Sequence, residues 1–119
     1  MLRLTFLGHT SGSANSKQIR FYFGGTLIYS PGGDTTTNVV YMCTCYIMRT
    51  GSNQQQVNYI AHRGANTINT SNTLTTPEGG GQINETDSSP IVIKITGQNN
   101  TTAAANVVFG DLLLVEKLA

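Results

Sequence analysis

An antiparallel all-β sandwich of about eight strands is the fold that three observations predict for this 119-residue chain. Apolar residues recur with a period of two along most of its length, the period of a pleated strand with one buried face. Clusters of Gly, Pro, Asn and Ser interrupt these runs at short intervals, as turns do. No run carries a convincing helical spacing. With roughly four strands in each of two sheets, a single jelly roll is the economical arrangement. The length predicts one domain, residues 1–119, large enough to bury a real core.

The strand expected over residues 38–50 organises the rest. Val39, Tyr41, Cys43, Cys45 and Ile47 share one face, whereas Val40, Met42, Tyr46 and Met48 share the other, with Thr44 its only polar member. A strand that is apolar on both faces is normally covered on both. One cover is the domain's own core. In so short a chain the expected second cover is another copy, which makes Val40, Met42, Tyr46 and Met48 the candidate oligomer interface.

The other elements follow in order. Leu2, Leu4 and Phe6 alternate with Arg3 and Thr5, so the chain opens in a half-buried strand, followed by a loop over residues 8–16 that begins near His9. Residues 17–23 place Ile19, Phe21 and Phe23 inward and Arg20 and Tyr22 outward. Gly24-Gly25 is a two-residue hairpin signal, and residues 26–30 return beside it. No Gly-Lys-Ser/Thr follows, so this is a turn and no phosphate loop. Residues 51–53 turn the central strand into another over 54–63, with Val57, Tyr59 and Ala61 on one side and Ile60 and His62 on the other. A short strand is expected over 66–75, where Thr and Ile favour extended backbone. Residues 76–89 read as loop, 91–96 as a strand with Ile91, Ile93 and Ile95 inward, and 97–103 as a turn. The last strand covers 106–117, where Gly110 suggests a bulge or a close backbone approach.

Composition narrows function mainly by exclusion. Charged residues make up 11% of the chain and the formal net charge is +1, with no basic run to form a nucleic-acid footprint. Low charge with abundant Thr, Ser and Asn suits a β surface, and also one that spends its life packed in an assembly. No secretory signal and no membrane-length apolar run is visible, and the triplets at Asn69, Asn84 and Asn99 read as polar loops. Cys43 and Cys45 lie at i and i+2, roughly 6.6–7 Å apart along a strand. That is at or beyond disulfide reach, so both are expected as buried free thiols, which points weakly to a reducing compartment. Only His9 and His62 could join them around a metal, and no metal or other cofactor is expected. Glu78, Glu85 and Asp87 gather in one loop, yet their spacing matches no EF-hand. The scattered acids and histidines offer no catalytic pair, so the chain is expected not to be an enzyme.

Four motifs in order carry a resemblance. They are Ser16-Lys-Gln-Ile-Arg-Phe-Tyr-Phe-Gly-Gly-Thr-Leu-Ile-Tyr29, Ile47-Met-Arg-Thr-Gly51, Ile91-Val-Ile-Lys-Ile-Thr-Gly97 and Leu112-Leu-Leu-Val-Glu116. Together they resemble a jelly-roll-like β-sandwich domain of accessory virion proteins of tailed bacteriophages and of prophage-derived genes. The resemblance implies a capsid decoration, head-fibre or tail-associated protein, a homotrimer that docks on other virion proteins after synthesis in the host cytoplasm. Such sequences usually carry a further strand before the one at Leu2, so either that strand is dispensed with here or a neighbouring chain takes its place, for which an unpaired edge along residues 2–7, open to strand addition, is expected. The alternative reading is a receptor- or glycan-binding tip that presents Tyr22, Tyr29 or Tyr59 beside polar loops. Nucleic acid and membrane are not expected partners.

Overall fold

Alternation becomes strand along eight segments. The computed structural model describes residues 1–11, 16–31, 38–65, 78–99 and 108–119. Its strands are β1 (Leu2–Thr10), β2 (Lys17–Phe23), β3 (Thr26–Tyr29), β4 (Val39–Gly51), β5 (Gln54–Ala65), β6 (Glu78–Ile83), β7 (Ile93–Asn99) and β8 (Val108–Lys117). No helix occurs among the described residues. The strands form two antiparallel sheets, β6-β5-β4-β1-β8 and β3-β2-β7. Packed together they make a β-sandwich.

The inward set of each strand meets between the sheets. Leu4 and Phe6 of β1, Val39, Tyr41, Cys43, Cys45 and Ile47 of β4, and Val57 and Ala61 of β5 form one side of the core. Ile19, Phe21 and Phe23 of β2 and Tyr29 of β3 form the other. An aromatic series crosses the interior. Phe6 stacks on Phe21 at 4.7 Å between ring centroids, Phe21 lies 5.9 Å from Tyr29, and Tyr29 lies 5.5 Å from Tyr59. Each such contact adds about 0.5–1.5 kcal/mol beyond the area it buries.

One end of the sandwich is tied by polar contacts. Gly24 turns the β2–β3 hairpin with φ 62°, a left-handed conformation that a side chain resists. Its backbone N–H donates to the Val92 carbonyl at 2.8 Å. Glu85 Oε1 accepts from the Thr26 backbone N–H at 2.8 Å and from its hydroxyl at 2.5 Å. The Gln55 amide clasps the Glu85 backbone from the other sheet: Nε2 donates to its carbonyl and Oε1 accepts from its N–H, both at 3.0 Å. Asn53 Oδ1 accepts from the Asp87 N–H at 2.9 Å. Residues 84–92 thus strap the β2–β3 and β4–β5 turns together.

Several expectations are corrected. The described strands divide five and three instead of four and four, and β1 lies between β4 and β8, so the jelly-roll arrangement does not emerge from them. The edge expected along residues 2–7 does not exist, because β1 is paired on both sides, Phe6 opposite Cys43 and Leu113. Strand β1 runs on through His9 and Thr10, taking in residues read as loop. Residues 78–83, also read as loop, form β6. Glycine has low strand propensity, but backbone pairing to β5 holds this segment, and at Gly79 a Cβ would come within 2.6 Å of the Tyr59 hydroxyl. β7 begins at Ile93, later than expected, and reaches Asn99. The bulge expected near Gly110 is present: Leu7 pairs with Leu112 and Gly8 with Gly110, leaving Asp111 as the extra residue. The strand expected over 66–75 lies outside the described residues.

Phe21 touches both halves of the aromatic series and is fully buried. Phe21→Ala is therefore expected to lower the unfolding free energy by roughly 3–5 kcal/mol. Urea denaturation of the two proteins followed by circular dichroism measures the difference.

Candidate functional site

The second face of β4 is the outer face of the larger sheet, and it is open. Register fixes its neighbours. Met42 lies between Leu7 and His62, Thr44 between Thr5 and Ile60, and Tyr46 between Arg3 and Asn58. One strand further, Leu112 lies beside Leu7, Leu114 beside Thr5 and Glu116 beside Arg3. Met42, Tyr46, Met48 and Ile60 are 36–51% exposed, and Leu112 and Leu114 are exposed beside them. Val40, the fourth candidate, is half-buried between His9 and Gly64.

The opposite outer face is different in kind. On the smaller sheet Gln18 pairs with Gln98, Arg20 with Thr96 and Tyr22 with Lys94, whose ammonium lies 4.9 Å above the Tyr22 ring. The Arg20 guanidinium also hydrogen-bonds the Gln18 side chain. Apart from Leu27, exposed on β3 beside Tyr22, that face is polar and internally bonded, as a solvated antiparallel sheet ordinarily is. The larger sheet presents Met, Tyr, Ile and Leu instead. An extended exposed apolar patch marks an interaction surface.

Two polar clasps border the patch along β1 and β8. Arg3 Nε donates to Glu116 Oε2 at 2.6 Å and Nη2 to Oε1 at 2.9 Å, a bidentate pair. Glu116, and after it Tyr46, hold the guanidinium more firmly charged, and Arg3 in turn holds the Glu116 carboxyl below its usual range. Across the bulge His9 Nδ1 lies 2.7 Å from Asp111 Oδ2, and the His9 ring stacks on Phe109 at 4.4 Å and 7°. Sequence reading missed this pair because the residues stand 102 positions apart. Only the antiparallel β1–β8 register, itself invisible in local pattern, brings them together. Beside Tyr46, an open depression of about 510 Å³ is lined by Asn58, Tyr59, Ile60, Glu78 and Gly79.

The remaining candidates disperse. Tyr29 is buried, Tyr59 is half-buried, packed on Tyr29 and lining the depression beside Tyr46, and Lys94 covers one face of Tyr22. The three loop acids do not converge: Glu85 is held by Thr26, Asp87 is paired with Arg49, and Glu78 stands on β6. Among the described residues no three His, Cys, Asp or Glu side chains group to hold a metal ion. Cys43 and Cys45 are free and fully buried, and burial pushes each thiol up to about 12, Cys45 adding to the shift at Cys43.

No protein-family model, curated protein or solved structure matches the chain. The likeness to phage accessory domains therefore rests on the four sequence motifs alone.

Two outcomes follow from the side-chain environments. Iodoacetamide at mildly alkaline pH is expected to leave both thiols unmodified in the native protein and to alkylate both in urea, with mass spectrometry counting the adducts. Thr26 lowers the Glu85 carboxyl, Arg49 lowers Asp87 and Arg3 lowers Glu116. Groups depressed in the fold stabilise it above their unfolded values, and that contribution fades as pH falls through the folded ones. Stability is thus expected to drop on acidification through and below the ordinary carboxylate range, about pH 4. Glu85→Gln should make that drop shallower. Urea midpoints measured from about pH 6 to about pH 3 compare the two slopes.

Proposed function

We propose that this protein is a self-associating structural component of a tailed-bacteriophage virion, a capsid decoration, head-fibre or tail-associated protein. The observation that carries the self-association is the contrast between the two outer faces. One sheet turns bonded polar side chains and a single exposed leucine, Leu27, to solvent, and the other turns Met42, Tyr46, Met48, Ile60, Leu112 and Leu114 outward. Fully burying such a side chain from water yields roughly 1.5–3 kcal/mol; these are already about half covered, so each adds roughly half of that, and several together offset the cost of association. A net charge of +1 sets no repulsion against close packing.

The virion assignment is supported by the four ordered motifs, and a homotrimer is the stoichiometry they imply. The apolar outer face then lies against neighbouring copies, and the polar face of the smaller sheet stays in solvent or against other virion proteins. This role calls for no catalytic group, cofactor, nucleic acid or membrane. The glycan-tip reading loses one of its three rings, since Tyr29 is buried.

Light scattering coupled to size exclusion tests the reading. The expected mass is three 12.7 kDa chains or a multiple of three. Met42→Asp should keep the β spectrum and cooperative melting, because its side chain leaves the core untouched, while the mass falls to a smaller assembly. A Met42→Asp protein that stays fully assembled would overturn the role of this face.

A further inference from the structure

Among the described residues four strands end a sheet, and three of them are blunted. β3 is four residues long, and β6 is six residues long with three consecutive glycines and an exposed Glu78. β7 carries Lys94 in its course. Short length, charge and lack of side chains are the devices by which edges avoid further pairing. β8 is ten residues long and uses none of them in its middle. Its bulge and Asp111 stand at one end, Glu116 and Lys117 at the other, and between them Leu112, Leu113, Leu114 and Val115 follow without interruption.

These four are 43%, 39%, 43% and 46% exposed. Leu112 and Leu114 belong to the outer face already described. Leu113 and Val115 point the other way, beside Phe6 and Leu4, which are 0% exposed. One strand step along the same inner face thus takes the sheet from full cover to open. Among the described residues no strand pairs with the side of β8 away from β1.

We propose that β8 pairs with β8 of a second copy, antiparallel about a two-fold axis, joining two five-stranded sheets into one of ten strands. The occupant must be a strand apolar on both faces with an unguarded edge, and β8 is itself such a strand. An axis through Leu113 sets that residue against its own copy and Leu112 against the partner's Leu114, so the apolar stretch meets itself. An isologous contact of this kind closes after two chains, as most homo-oligomeric interfaces do. It uses a surface distinct from the outer face of β4, and multiplies by two whatever number of chains that face assembles.

The test uses single and double variants of the full chain. Leu113→Lys puts a charge at the pairing edge and is expected to halve the solution mass while the β spectrum is kept. Val115→Lys does the same from the more exposed inward position, 46% exposed, should the lysine at 113 unfold the protein. Leu113→Cys, oxidised, should form a covalent dimer at the wild-type mass, since directly opposed residues stand about 4.5–5.5 Å apart, within disulfide reach. The buried native thiols do not compete. A wild-type mass of one chain or of any odd number of chains, an unchanged mass in both lysine variants, or a cysteine at 113 that fails to cross-link would each overturn the pairing. Adding Met42→Asp to Leu113→Cys separates the two surfaces: the covalent dimer persists there even if the outer-face assembly is lost.

Discussion

The pairing of β1 with β4 is the constraint on which the rest of the sandwich depends. Leu4 stands opposite Cys45 and Phe6 opposite Cys43, all four fully buried, while Arg3, Thr5 and Leu7 stand opposite Tyr46, Thr44 and Met42 on the outside. A slip of one residue would exchange the two sets. Phe6 would leave Phe21, and the aromatic series through Tyr29 to Tyr59 would lose its origin. The same register delivers an apolar set to the outer face, so core and candidate interface are two results of one alignment.

Because β1 is interior, lying between β4 and β8, the first and last described strands pair with each other. Arg3–Glu116 and His9–Asp111 are clasps between them, one toward each end of the shared ladder. Their partners are separated by most of the chain, so they form only when the sheet does. The strap of residues 84–92 acts likewise on the other side, bonding Thr26 of the small sheet and Gln55 of the large one through a single residue, Glu85. Such contacts tie the sheets at their rim, where hydrophobic packing is thinnest.

The surface divides into a polar sheet, a mostly apolar sheet and four edges of unequal protection. Solvation explains the first and the blunted edges. It does not explain Met42, Met48 and Ile60 in the open, nor the uninterrupted leucines of β8. An exposed apolar surface of this extent marks an interaction surface.

Local pattern alone determined the strands with one polar face, and the two-sided apolar character of β4. The inward sets of β2, β4 and β5 were legible residue by residue, since period-two alternation is a property of neighbours along the chain. Other features needed the tertiary structure. Gly79-Gly80-Gly81 has no side-chain alternation to read, and becomes a strand because β5 supplies hydrogen-bond partners. Strand order left no trace in spacing either: which edges are paired depends on loop closures between segments up to a hundred residues apart. For that reason the open edge moved from residues 2–7 to β8, and His9 met Asp111 unannounced. The sequence alone determined which faces are apolar, and the tertiary structure decided which of them stay uncovered, because cover is supplied by strands distant in the chain.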